Sequence, residues 1–302
     1  MPILVVGSVA LDTIETPVDR REDALGGSAM YFSVAASYFS TVQLVGVVGE
    51  DFPEEAIQLL QQSQVDLAGL QQVKGKTFRW SGRYHIDMNT RDTLDTQLNV
   101  FEHFTPKIPT AYQSTGILFL ANIHPTLQLD VLNQVNSPDL VITDTMNLWI
   151  ETTRGDLLRV IQQTDIMLIS DSEIRQLLEE PNLLVAAREL LKLGPEYIII
   201  KKGEHGAMLV DSSGVFVAPG YPLEHIEDPT GAGDVFAGGL VGHIEQSGSL
   251  NDKILRQAII YGSTMASFNV EAFSLDRLRN LSQKEIEDRY QQFKDITHFE
   301  TD

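Results

Sequence analysis

The stretch Asp228-Pro229-Thr230-Gly231-Ala232-Gly233-Asp234, running directly into Val235-Phe236-Ala237-Gly238-Gly239-Leu240, decides how the rest of the chain is read. Gly231, Ala232 and Gly233 offer backbone N–H groups with almost no side chain in the way. The small and apolar residues after them suit a helix that starts there. Unsatisfied amides and the helix dipole both favour an anion at such an N-terminus. Asp234 falls in the first turn, where its charge suits the dipole but would repel a phosphate. A carboxylate beside a phosphate cradle suggests a base held next to a transferring phosphoryl group. The same string also fits a tight turn and a helix whose first-turn aspartate is structural.

The 302-residue chain is 43% hydrophobic and 21% charged, ordinary for a globular enzyme and long enough for one large α/β domain or two smaller ones. It lacks cysteine, which removes disulfides, thiolate metal sites and thiol nucleophiles. A formal net charge of -20 argues against a general nucleic-acid binder, whose phosphate contacts need clustered Lys and Arg. An acidic protein still binds ATP through local amides, a few cations and Mg2+. Apolar runs such as Tyr197-Ile198-Ile199-Ile200 are far too short to span a bilayer, and Met1–Gly7 enters a strand with no basic leader. A cytoplasmic protein without membrane or nucleic-acid partners is expected.

Short apolar runs alternate with helical spacing along the chain. Strands are expected at Ile3–Val6, Gln43–Gly49, Gly116–Ala121, Leu140–Asp144, Ile166–Ile169 and Tyr197–Ile200, with a short extra one at Val215–Val217. Helices are expected at 29–39, 52–63, 126–135, 157–163, 173–178, 182–193, 251–268 and 283–293. Such repeated units with short connections imply an α/β fold, a doubly wound, mostly parallel sheet flanked by helices. Lys76–Phe104 breaks the alternation. Its Arg79, Trp80, Arg83, Tyr84 and His85, then polar Asn89–Thr93, read as exposed twisted strands around a loop. With no internal repeat or linker, residues 1–302 read as one domain.

The complete 228–234 string resembles the C-terminal signature of the ribokinase-like (phosphofructokinase-B) family of carbohydrate and nucleoside kinases. Asp12, Gly26-Gly27, Ser170-Asp171-Ser172-Glu173 and Lys201-Lys202-Gly203-Glu204-His205-Gly206 are similar to further motifs of that family, in its order. The resemblance implies the ribokinase-like fold with a small β-lid, built from approximately 13–25 and 76–104. It implies Asp234 as general base and the amides of Gly231, Ala232 and Gly233 as the anion hole. Asp12 would grip acceptor hydroxyls beside Gly26 and Gly27. Tyr31 stands where the family usually has an acceptor-binding asparagine, and Ala10 replaces another frequent asparagine. Both departures favour an acceptor with an apolar or aromatic face. Asn147 and, from the lid, Arg79 are further acceptor-side candidates, with Arg83, His85 and Asn89 near the latter. Ser170, Lys201, Gly203, Gly206 and Asn269 are implied on the nucleotide side, although the family has asparagine where Ser170 stands. Glu173 would organise Mg2+ through water. Asp228 and Thr230 would flank a monovalent cation such as K+, as in some relatives.

An ATP-dependent, Mg2+-assisted kinase acting on a hydroxyl of a sugar or nucleoside is therefore expected. A sugar phosphate stays open as acceptor, because Arg79, Arg83 and Arg91 would supply a basic cluster. A non-catalytic sensor on the same fold is the alternative of another class, although such proteins usually lose the base or the anion loop. A dinucleotide-dependent oxidoreductase lacks its fingerprint, since Gly7-Ser8-Val9-Ala10 follows the first strand. Exposed lid strands would also allow pairing into a homodimer.

Overall fold

A computed structural model describes residues 2–298. In chain order its strands are β1 (Ile3–Val6), β2 (Ala10–Glu15), β3 (Arg20–Gly26), β4 (Val42–Val48), β5 (Val65–Gln72), β6 (Phe78–Tyr84), β7 (Arg91–Gln97), β8 (Ile117–Leu120), β9 (Leu140–Thr143), β10 (Ile166–Ser170), β11 (Tyr197–Lys201), β12 (Ala207–Val210) and β13 (Val215–Ala218). Nine of them form one sheet in the order β13-β12-β11-β10-β9-β8-β1-β4-β5. Every pairing from β11 to β5 is parallel, and the β11–β12 and β12–β13 pairings are antiparallel.

Alternation along the central strands feeds two opposite cores. Ile3 and Val5 of β1 enter one, Leu4 and Val6 the other. Ile166 and Leu168 of β10 likewise face away from Met167 and Ile169. The helices Ser28–Ala36, Ala232–Ser247 and Asp252–Asn269 cover the first face. Pro125–Leu132, Arg154–Ile161, Asp171–Leu178 and Leu183–Leu191 cover the second. This two-sided cover is why the strands read as continuous apolar runs. Phe32 and Phe119, stacked with centroids 4.1 Å apart, join helix to sheet. Burying each side chain stabilises by roughly 2–3 kcal/mol. Among the described residues no helix is long and apolar enough to cross a membrane.

The glycines of the opening stretch set how closely its helix packs. A Cβ at Gly238 would lie 2.6 Å from the Phe32 carbonyl oxygen, and one at Gly239 2.8 Å from Met265 Cγ. Helix Ala232–Ser247 is thus wedged between Ser28–Ala36 and Asp252–Asn269, and side chains there would force the helices apart.

A separate four-stranded sheet has the order β3-β2-β6-β7. It occupies the two regions where a lid is expected, although its first strand starts at Ala10. Asp12, expected just beyond the first strand, lies within β2 opposite Trp80 of β6. β7 is exposed along its length. Beneath the sheet, Ile14, Ala24, Tyr84 and Phe273 form a small core of their own. The chain leaves β1 toward β4 on one side and returns through β8 on the other. Carboxyl ends of strands at such a reversal are where doubly wound folds bind ligands.

Candidate active site

The helix of the opening stretch begins at Ala232 behind Gly231, whose φ of 76° is left-handed and suits glycine. Gly231 also lies against the Tyr31 ring, 2.5 Å from where a Cβ would sit. Val235 N–H donates to the Gly231 carbonyl at 2.8 Å and Ala232 N–H to Pro229 at 3.2 Å. The amides of Gly231 and Gly233 donate to no carbonyl among the described residues. Of the three amides expected to form an anion hole, Ala232 is thus taken up within the turn, and those of Gly231 and Gly233 are left at the positive end of a 16-residue helix, where an anion is favoured.

The loop entering this cradle is held from beneath. Fully buried Asp228 accepts from Thr230 N–H at 2.8 Å through Oδ1 and from Ser274 N–H at 3.0 Å through Oδ2. Asn269 Nδ2 donates to the Thr230 carbonyl at 2.8 Å, and Thr230 Oγ1 donates to Tyr84 Oη at 3.2 Å. Asn269, expected on the nucleotide side, is instead fully buried and braces the loop. It ends helix Asp252–Asn269, which tucks beneath the Asp228–Gly231 turn.

Two carboxyls in this region are both hard to ionise. Burial, then the neighbouring Asp144, pushes Asp234 up to about 7, while Lys201 and Arg91 pull it down. Burial, then Asp228, raises Asp12 to about 8, against the Trp80 amide that donates to it. Asp12 Oδ1 and the Tyr31 hydroxyl are buried with no hydrogen-bond partner. Burial, Asp228 and Asp12 hold Tyr31 in its neutral form. Unpaired buried polar atoms cost about 1–3 kcal/mol each, and the cost is explained if a ligand hydroxyl completes them. Gly26 is required beside them, because a Cβ there would overlap the Asp12 carboxylate. Gly27, with φ 95°, leads into helix Ser28–Ala36.

Lys201, at the end of β11, forms a buried ion pair with Asp144 at 2.6 Å. Its ammonium lies 3.2 Å from where a Cβ of Gly233 would stand. The acceptor-side candidate from this segment, Asn147, is exposed three residues after Asp144 and outside this cluster. Ser170 and Glu173 form a reciprocal helix cap, with Ser170 N–H donating to Glu173 Oε2 at 2.7 Å and Glu173 N–H to Ser170 Oγ at 3.2 Å. Glu173 is nonetheless raised by burial and sits in the field of Lys201 and Asp144.

A cavity of about 400 Å³ opens beside Lys201 and Gly233. Lys201, Gly203, Gly206, Ala232 and Gly233 line it from the main domain, and Tyr84, Asn89 and Arg91 from the small sheet. Gly203 and Gly206 have φ of 55° and 82°, which lets their backbone form the wall. The remaining basic side chains of the small sheet are engaged elsewhere. Arg79 is paired with Asp23 and Asp51, Arg83 with Glu15, and His85 with Asp92. Arg79 is thus taken up by carboxylates of its own neighbourhood instead of standing free for an acceptor.

Residues 3–278 match the model of the pfkB family of carbohydrate kinases. The chain belongs to that family. This pfkB-family kinase is 30% identical over 246 residues to a cytidine kinase of Thermococcus kodakarensis, covering 80% of the chain and 87% of that protein. In fold it is similar to the Methanocaldococcus jannaschii nucleoside kinase, with a TM-score of 0.78, 20% identity and coverage of 97% and 99% of the two chains. A Salmonella enterica aminoimidazole riboside kinase, solved with aminoimidazole riboside and an ATP analogue, gives a TM-score of 0.76 at 18% identity, over 96% and 100%. The protein is accordingly a phosphotransferase with a hydroxyl acceptor, and its fold is ribokinase-like.

Proposed function

We propose that this kinase transfers the γ-phosphoryl group of ATP to a hydroxyl of a nucleoside. The observation that carries the reading is the placement of Asp234 in the first turn of a helix whose amides are open, among the buried polar groups of Asp12 and Tyr31. The likeness to a cytidine kinase favours a nucleoside over a free sugar. A sugar phosphate is disfavoured, because two of the three arginines of the expected basic cluster, Arg79 and Arg83, are neutralised by carboxylates, which leaves only Arg91. Asp12 orients the acceptor hydroxyls, and Tyr31 supplies the ring wall that an asparagine would not. Asp234 takes the proton of the attacking hydroxyl, while the Gly231, Ala232 and Gly233 segment faces the phosphoryl oxygens. Lys201, Gly203 and Gly206 line the nucleotide side.

The donor set fits Mg2+. Glu173 Oε2 is held by the Ser170 amide, and Oε1 makes no hydrogen bond within the described residues, as suits a hydrated ion held through water. When bound, Mg2+ neutralises charge on the phosphates. A monovalent cation beside the carbonyls of the Asp228–Thr230 loop completes the proposal.

Steady-state rates of ATP consumption with cytidine, other nucleosides, ribose and fructose, each in K+ and Na+, test this reading. A pyrimidine or purine nucleoside is expected to give the highest kcat/KM, and K+ the higher rate. Turnover confined to free sugars would refute the acceptor, and equal rates in both salts the cation.

The pH dependence has a definite sign. A base raised to about 7 is protonated and idle below that value. Log kcat/KM for the acceptor should therefore rise with unit slope up to about pH 7, with further curvature near the pH 8 of Asp12. A flat profile from pH 5.5 to 9 would contradict the role of both carboxylates.

A further inference from the structure

Five arginines occupy the two regions of the small sheet, and four of them are paired with carboxylates. Arg20 meets Glu22, Arg21 Asp276, Arg79 Asp23 and Asp51, and Arg83 Glu15. Arg91, at the first position of β7, pairs with no carboxylate among the described residues. Its guanidinium lies over the Trp80 ring, 5.9 Å from the centroid. It lines the cavity with Lys201, Ala232 and Gly233, and its field reaches Asp234 and Tyr84. Lys201, the other cation lining that cavity, is committed to Asp144. An uncommitted guanidinium lining the same cavity as Gly233 is unusual in a chain of net charge -20.

The turn just before Arg91 is rigid and docked. Asp87 Oδ1 accepts from the amides of Asn89 at 3.1 Å and Thr90 at 2.8 Å, and Thr90 Oγ1 donates to Asp87 Oδ2 at 2.7 Å. These bonds hold the Asp87 carboxyl below its usual range. Asn89 Nδ2 donates to Glu204 Oε1 at 3.4 Å, and a Cβ at Gly203 would lie 2.6 Å from Asn89 Oδ1. Contact between this turn and the Gly203–Gly206 loop fixes where Arg91 stands.

We propose that Arg91 is a catalytic residue that contacts the transferring phosphoryl group when the Asp87–Thr90 turn is seated on the Gly203–Gly206 loop. This rests on the reading of the site as one for phosphoryl transfer to a nucleoside. In that step the acceptor oxygen bonds to the γ-phosphorus while the bond from phosphorus to the bridging oxygen breaks. The bridging electron pair leaves with ADP, and the hydroxyl proton goes to Asp234. Arg91 moves no proton; its planar fork meets two equatorial oxygens as charge shifts toward ADP.

Arg91→Gln should lower kcat by about 10³-fold, as loss of a phosphoryl-contacting arginine does, with acceptor KM and melting midpoint nearly unchanged. Arg91→Lys should recover no more than about tenfold of that loss, because an ammonium lacks the fork. In Arg91→Ala, added guanidinium ion should give saturable recovery that wild type does not show. A kcat for Arg91→Gln within threefold of wild type overturns the proposal. So does a loss that follows the melting midpoint or is not relieved by guanidinium. Wild-type protein with no turnover on any nucleoside instead overturns the acceptor. The variants are then compared on basal ATP hydrolysis, where an unchanged rate in Arg91→Gln overturns the role of Arg91.

Discussion

Asp234→Asn is expected to lower kcat by about 10³- to 10⁴-fold while leaving Mg-ATP affinity equal or slightly tighter. Asparagine has nearly the same shape and keeps a carbonyl oxygen toward the cleft, but it accepts no proton at any working pH. Loss of a positioned base costs this order of rate. Binding does not suffer, because a negative charge beside the phosphate site has been removed. Stability has its own sign. Asp234 is raised by burial and by Asp144, so the folded protein resists its ionisation. A raised carboxyl contributes stability that is complete below its ordinary pKa of about 4 and is lost as pH rises through about 7. The neutral amide escapes that loss, so at pH 8 the variant should melt no lower than wild type. Steady-state kinetics, nucleotide titration and a melting curve at pH 8 check the three statements together. A kcat within tenfold of wild type would end the assignment of Asp234 as base.

Lys201→Met should cost about 3–5 kcal/mol of stability, the usual consequence of leaving one partner of a buried ion pair alone. Lys201 is 18% exposed and Asp144 only 3%, so water cannot replace the lost partner at the carboxylate. Asp144 accepts two bonds from the ammonium, at 2.6 and 2.8 Å, and its neighbours Glu173 and Asp234 are already raised by burial. Removing the cation leaves three acidic groups facing one another. Asp144→Asn combined with Lys201→Met should recover at least half of the loss, since the stranded charge is gone. Urea unfolding at pH 7.5 measures both. The pair is not a stabilising element if the single variant loses under about 1 kcal/mol, or if the double variant is no better.

The central sheet is legible in the sequence because its strands are covered on both faces. Ile198-Ile199-Ile200 cannot sit elsewhere without exposing apolar surface. β5 is not legible. Val65-Asp66-Leu67-Ala68-Gly69-Leu70 carries an aspartate and a glycine, tolerable because β5 is the sheet edge with only β4 to pair. β2 and β3 are anticipated only through the family resemblance and not from their own residue pattern, since a four-stranded sheet over a four-residue core imposes little alternation. In the site, Gly231–Asp234 announces itself through local backbone chemistry, which needs no knowledge of distant contacts. Asp144 does not, because it reads only as the last residue of an expected strand and its partner lies 57 positions away. Arg91 is legible only as one member of a basic set. Its distinction is the absence of a carboxylate partner, which only the tertiary arrangement reveals. The inward turn of Asn269 is hidden likewise.

Asp12 belongs to β2 of the small sheet, whereas Asp234 rides on a helix wedged into the main domain. On the proposed reading, the group that would grip the acceptor sits on the small sheet and the group that would deprotonate it on the main domain. A catalyst divided in this way would exist only while its halves are together. Swinging the small sheet aside would take Asp12, and Arg91 with it, away from the amides, so water arriving at an open cleft would meet neither a positioned base partner nor a phosphoryl clamp. Economy of ATP would then follow from connectivity: on the proposed reading, the small sheet could not leave the cleft without taking the acceptor's grip with it.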